Sequence, residues 1–186
     1  MTYLANKIRM SFDKGKTINA VLYISERLIC SDFHKIFKIL YFSDREHLVK
    51  YGRTITGDTY TAMKDGPVPS NTYDIFKSVR GNGYFKDDGT FSQYFSVIDW
   101  DIIKPKKKSD IDELSKTDLY YINESIDKYG KMSWDEIREK SHDYAWRNTA
   151  GNRNINFEDI VLEAGGDDEY IAYLTEQSML EWSLRG

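Results

Sequence analysis

A single cysteine, Cys30, excludes an intramolecular disulfide and any paired-cysteine zinc site, and it fits a reducing compartment. Long apolar runs are missing too. No stretch approaches the about 18 residues that span a bilayer, and "MTYLANKIRMSFDKG" lacks the apolar centre of a signal peptide. A cytoplasmic protein without a membrane partner is expected. Positive charge is not in excess: 26 basic against 30 acidic side chains give a net charge of -4. The overall field therefore does not draw in phosphate, and direct nucleic-acid binding is not expected. The lysines of "KPKKKSD" (104, 106, 107 and 108) run straight into Asp110, Asp112 and Glu113 and read as a solvated connection. Neither GxxxxGK[ST] nor GxGxxG occurs, and "RGNGYF" lacks the third glycine, so no loop is built to cradle a phosphate. No cofactor is expected.

What is present is an ordinary globular composition, 40% hydrophobic and 30% charged, with an aromatic share of 15% that implies a rich core or an adhesive surface. A chain of this length can bury roughly 70% of its unfolded surface, and one domain over residues 1–186 is expected. Ile18, Val21, Leu22 and Leu28 predict a helix within 13–28, and Ser31-Asp32 caps a second over 33–51 that stops at Gly52. "TITGDTYTAMK" then changes period and predicts a hairpin over 54–64 around Gly57-Asp58. In "DGPVPS", Pro67 and Pro69 push Gly66 and Val68 towards extended conformations, with Ser70 placed to cap a short helix over 71–80. Aromatic and β-branched residues between 84 and 103 predict further short strands. "SKTD" and "SWDE" match the capping-box spacing and predict helices over 116–129 and 134–148. A short helix over 157–164 and a last one over 168–184 complete a predominantly helical α+β fold with six or seven helices and one small antiparallel sheet.

The charged tetrad Asp44, Arg45, Glu46 and His47 is the strongest candidate for chemistry. At about 100° per residue the four point in different directions; only Asp44 and His47 share a face, Asp44 lying within the arc of Phe33, Phe37, Leu40, Leu48 and Tyr51. A carboxylate there must be compensated. We expect Asp44 to clamp the helix to groups between Lys64 and Ser70; the competing reading is a small hydrolase using Asp44 and His47. Two such residues are too few for a zinc site, and no nucleophile is marked by spacing. His142 lies four residues before Trp146, so the two rings can stack. On the last helix Tyr170, Tyr173, Leu174, Leu180 and Leu184 form an apolar arc that Ile171 and Trp182 widen, more than a surface helix needs: either a partner covers the excess or neighbouring elements pack over it as core.

"KILYFSDREHLVKYGRTITGDTYTAMKDGPVPSNTYDIF" and, downstream, "LSKTDLYYINESIDKYGKMSWDEIREKSHDYAWRNT" resemble the Panacea domain of the SocA-like antitoxins, densely over 33–148 and more weakly through "FEDIVLEAGGDDEYI". Asp44, His47, Gly52, Gly57, Lys64, Gly66, Pro67, Pro69, Ser70, His142 and Trp146 stand at positions of the shared pattern. The resemblance implies a bacterial or phage antitoxin that binds a toxin encoded beside it. A second family mode delivers the toxin to the ClpXP protease. Some members carry an added N-terminal DNA-binding domain; here only about a dozen residues precede the first expected helix. For toxin contact, Tyr170, Ile171, Leu174 and Trp182 are the expected residues.

Overall fold

A computed structural model describes residues 7 to 184. In chain order the elements are α1 (Lys14–Ser25), α2 (Phe33–Tyr51), β1 (Tyr60–Met63), β2 (Gly66–Pro69), α3 (Ser70–Arg80), β3 (Phe95–Ile98), β4 (Ile102–Pro105), α4 (Lys116–Tyr129), α5 (Trp134–Ser141), α6 (Tyr144–Arg147), α7 (Phe157–Glu163) and α8 (Asp168–Leu184). The fold is α+β and predominantly helical. Among the described residues there are eight α-helices rather than six or seven, and the strands form two separate two-stranded antiparallel sheets rather than one.

Helix α2 is the hub. Asp32 caps it by accepting the Lys35 N–H at 2.8 Å, and Gly52 ends it in a left-handed turn. Between Lys35 and Asp44 every side chain is buried, because α1, α4, α5, α7 and β2 pack around it. The one-sided stripe read from the sequence is thus incomplete, and Tyr51, assigned to it, is half exposed at the helix end. A helix enclosed by others needs no polar face.

The first hairpin differs from expectation in register. Its strands pair Tyr60 with Pro69 and Met63 with Gly66, so the turn lies at Lys64-Asp65, not at Gly57-Asp58. Gly57 serves another purpose. Its φ is 68°, and a Cβ there would stand 1.9 Å from the Ser11 carbonyl oxygen, so glycine permits residues 11–12 to cross against it. Pro67 and Pro69 are tolerated in β2 because their partners Ala62 and Tyr60 bond to the other side: Ala62 N donates to Arg153 O at 2.9 Å and Tyr60 O accepts from Ile155 N at 2.7 Å.

At the following corner Ser70 does not cap α3; its hydroxyl pairs with Thr61 Oγ1 at 2.9 Å. The buried Asp58 carboxylate does so from outside, accepting the N–H groups of Asn71 (3.0 Å) and Thr72 (2.9 Å) and the Thr72 hydroxyl (2.7 Å). An anion at a helix start is favoured by the free N–H groups and the helix dipole. Both predicted capping boxes form, at Ser115 and Ser133. The helix predicted over 134–148 is split: α5 ends at Ser141, and Asp143 starts α6 by accepting the Trp146 N–H at 3.0 Å.

Candidate functional site

The four residues of the tetrad leave α2 in different directions; Arg45 and Glu46 pair with each other, while Asp44 and His47 engage separate neighbours. Asp44 is 2% exposed. Its Oδ1 accepts the N–H of Ile55 (2.7 Å) and Thr56 (3.1 Å), and its Oδ2 the hydroxyls of Thr56 and Tyr60, the latter at 2.8 Å. Burial raises the carboxyl above its ordinary range against the pull of these donors, but four donors and no acceptor make the carboxylate the form that fits. Burial also lifts the Tyr60 phenol, which therefore remains a donor. Asp44 is a clamp, but its partners lie at 55–60 and not at 64–70, and Lys64 is exposed. The segment after Gly52 folds back along α2 before the hairpin begins, so it reaches Asp44 first.

Arg45 donates to Asp143 Oδ2 at 3.1 Å, next to Tyr41 OH at 2.8 Å from the same oxygen, and pairs with Glu46 at 2.9 Å. His47 is fully buried and turns away from Asp44. Its Nδ1 donates to the Arg53 carbonyl at 2.8 Å, while Nε2 faces Thr117 Oγ1 (3.0 Å) and Asp118 Oδ1 (3.2 Å). The two candidates for a hydrolase dyad thus bond to different segments and not to each other.

Asp118 gathers as many polar contacts as Asp44, yet in the sequence only its role in a capping box is visible. It receives the Ser115 N–H (2.9 Å), Lys16 Nζ (2.9 Å) and Arg53 (3.0 Å) besides facing His47. Burial alone would raise its carboxyl, but His47, Lys16, the Ser115 N–H and Arg53 outweigh this and hold it well below the usual carboxylate range. A depressed carboxyl adds stability above its unfolded pKa, near 4, that is lost as pH falls below that value. We expect Asp118→Asn to cost about 2 kcal/mol near neutrality, the worth of a charge-assisted bond, and the gap to the parent in urea melts to narrow below about pH 4.

His142 and Trp146 stack with ring centroids 3.7 Å apart and 4° between planes, and Trp146 Nε1 donates to Met63 O at 2.9 Å. The stack bridges the break between α5 and α6 instead of lying along one helix. Gly66 (φ 100°) admits α5 and α2 to the hairpin turn: a Cβ there would meet Ser141 Oγ at 2.3 Å and Lys38 Cε at 2.9 Å. Among the described residues no three His, Cys, Asp or Glu side chains stand together to hold a metal ion, and no helix is long and apolar enough to cross a membrane.

Helix α8 has two apolar faces. Leu174 is buried against Gly52, and Tyr170 OH donates to Val49 O at 3.0 Å. Tyr170 and Ile171 are half-buried against the core. Leu174 is therefore not available for toxin contact, and Tyr170 and Ile171 only in part. Trp182 is 52% exposed, and Tyr173, Met179 and Leu180 join it on the surface. Beside them runs an open groove of about 730 Å³ lined by Ile171, Thr175, Met179 and Leu180.

The model of the SocA-like antitoxin family, Panacea domain, matches residues 36–147. The chain belongs to that family. No curated protein and no solved structure matches it. The matched span contains the whole Asp44 and Asp118 networks except Lys16, so the family segment is the part that builds the hub and its clamps.

Proposed function

We propose that this protein is an antitoxin that neutralises a toxin protein by direct binding in the cytoplasm, and that its chain works as a single domain in which the hub presents a contact surface. Family membership carries the reading. Two features of the molecule support it. The polar residues that a hydrolase would use are committed to structural bonds, and α8 leaves Tyr173, Met179, Leu180 and Trp182 uncovered. Aromatic side chains of this kind anchor tight interfaces. The α8 surface takes the toxin; the tetrad does not touch it.

Co-expression with the protein encoded beside it is expected to restore growth, and the two are expected to co-purify at moderate salt, since apolar contacts are not screened. Trp182→Ala together with Leu180→Asp should weaken rescue by about tenfold or more, the loss of one interface anchor, while the circular dichroism melt stays unchanged. Rescue that needs ClpXP and lowers the toxin level would replace sequestration by delivery to the protease. Absence of toxicity or binding by any neighbour would overturn the antitoxin reading.

A further inference from the structure

Lys38 is wholly buried in the centre of α2. Its Nζ donates to the Pro67 carbonyl at 3.0 Å and, among the described residues, pairs with no carboxylate. An ammonium in that position wastes donors and forfeits hydration, so burial brings its pKa down to about 7 even with Asp65 nearby. That one bond ties α2 to β2, and Lys38 joins none of the carboxylate clamps described above.

A cavity of about 460 Å³ has Lys38 in its lining, with the side chain itself closed to solvent. Phe37 and Tyr73, whose rings pack edge to face at 5.5 Å, form one wall. Trp100 lines the mouth from the loop between β3 and β4, 67% exposed and with φ 76°. A bulky side chain in the left-handed region is strained. Arg80 packs against it, its guanidinium 4.3 Å from the indole ring and its NH1 donating to Trp100 O at 2.9 Å. Asp99 (φ 47°) and Trp100 are consecutive left-handed residues of the β3–β4 hairpin turn, so the turn sets this backbone and leaves Trp100 as an exposed aromatic at the cavity mouth. His34 completes the wall. Its Nε2 faces Asp65 O at 3.3 Å and so carries the proton, while Nδ1 is buried without a partner. Burial, with Lys38 close by, lowers this imidazole to about 4, so the ring stays neutral and Nδ1 is an unused acceptor.

We propose that this cavity is a binding site for a small aromatic carboxylate, with Lys38 taking the carboxylate, Trp100 and Tyr73 flanking the ring, and His34 Nδ1 open to an N–H or O–H on it. The volume lies within the range of small-molecule sites, which combine apolar walls with a few placed polar groups. A carboxylate supplies the counter-charge that Lys38 lacks. None of the residues lining this cavity belongs to α8, and the proposal does not depend on the antitoxin reading.

Isothermal titration with indole-3-acetate and its neutral amide tests the idea. We expect saturable binding of the acid, about tenfold or more tighter than the amide, as one charge-assisted hydrogen bond provides. Lys38→Met should abolish the preference for the acid. Trp100→Ala should weaken acid and amide together and leave their ratio, which keeps the test valid if the lysine variant folds poorly. No saturable binding by millimolar ligand, equal binding of acid and amide, or an acid preference that survives in folded Lys38→Met would each overturn the proposal.

Discussion

Asp44→Ala should be among the more damaging single changes in the chain, lowering stability by about 1 to 3 kcal/mol, the cost of leaving buried donors unsatisfied. The substitution strands two backbone N–H groups, of Ile55 and Thr56, and two hydroxyls, of Thr56 and Tyr60, in a region closed to solvent. It also frees the segment between Gly52 and Tyr60, which sets the start of β1 and, through Asp58, the start of α3. Asp44→Asn should be milder, about 1 kcal/mol, because its carbonyl oxygen can keep both N–H groups while the hydroxyls rotate to accept from the amide. Chemical denaturation of the two variants measures the difference. An acid-base role predicts the reverse emphasis, an asparagine variant as stable as the parent but inactive, and an alanine variant that melts normally would remove the clamp.

Lys38→Met should move stability the other way, raising it by about 2 to 4 kcal/mol at pH 7. Folding lowers the amine from 10.5 to about 7, and every tenfold loss of proton affinity corresponds to about 1.4 kcal/mol; the loss of the bond to Pro67 O offsets part of the gain. The sign with pH follows from proton counts. Between about 7 and 10.5 the unfolded chain holds the Lys38 proton and the folded protein does not, so the parent gains stability as pH rises, and below about 7 the full cost is present. The advantage of the methionine variant should therefore be largest at or below pH 7 and shrink towards pH 10. Asp65, which favours the charged amine, and Arg138, which opposes it, face Lys38 from the hairpin turn and α5. Melts of parent and variant from pH 6 to 10 check it.

Residue order alone was enough for the helices whose ends carry their own chemistry. Asp32 and Gly52 bound α2, Ser115 and Ser133 close capping boxes, and each of these signals needs only residues within one turn of the helix end. Local hydrogen bonds leave local spacing, and spacing is legible. The family pattern was legible for the same reason, as a long run of fixed positions. Long-range packing settled whatever depends on contacts between segments distant in the chain. Gly57 looks like a hairpin turn until residues 11–12 pass against it, and Ser70 looks like a cap until Asp58 arrives from across the corner. Asp44 announced a need for donors, but a carboxylate at the centre of an apolar helix accepts whichever segment folds back first. Lys38 gave less still. On a helix wheel it is one more lysine, and only packing on every side of α2 makes its amine a buried charge under an aromatic cavity, because burial is a property of neighbours and not of residue type.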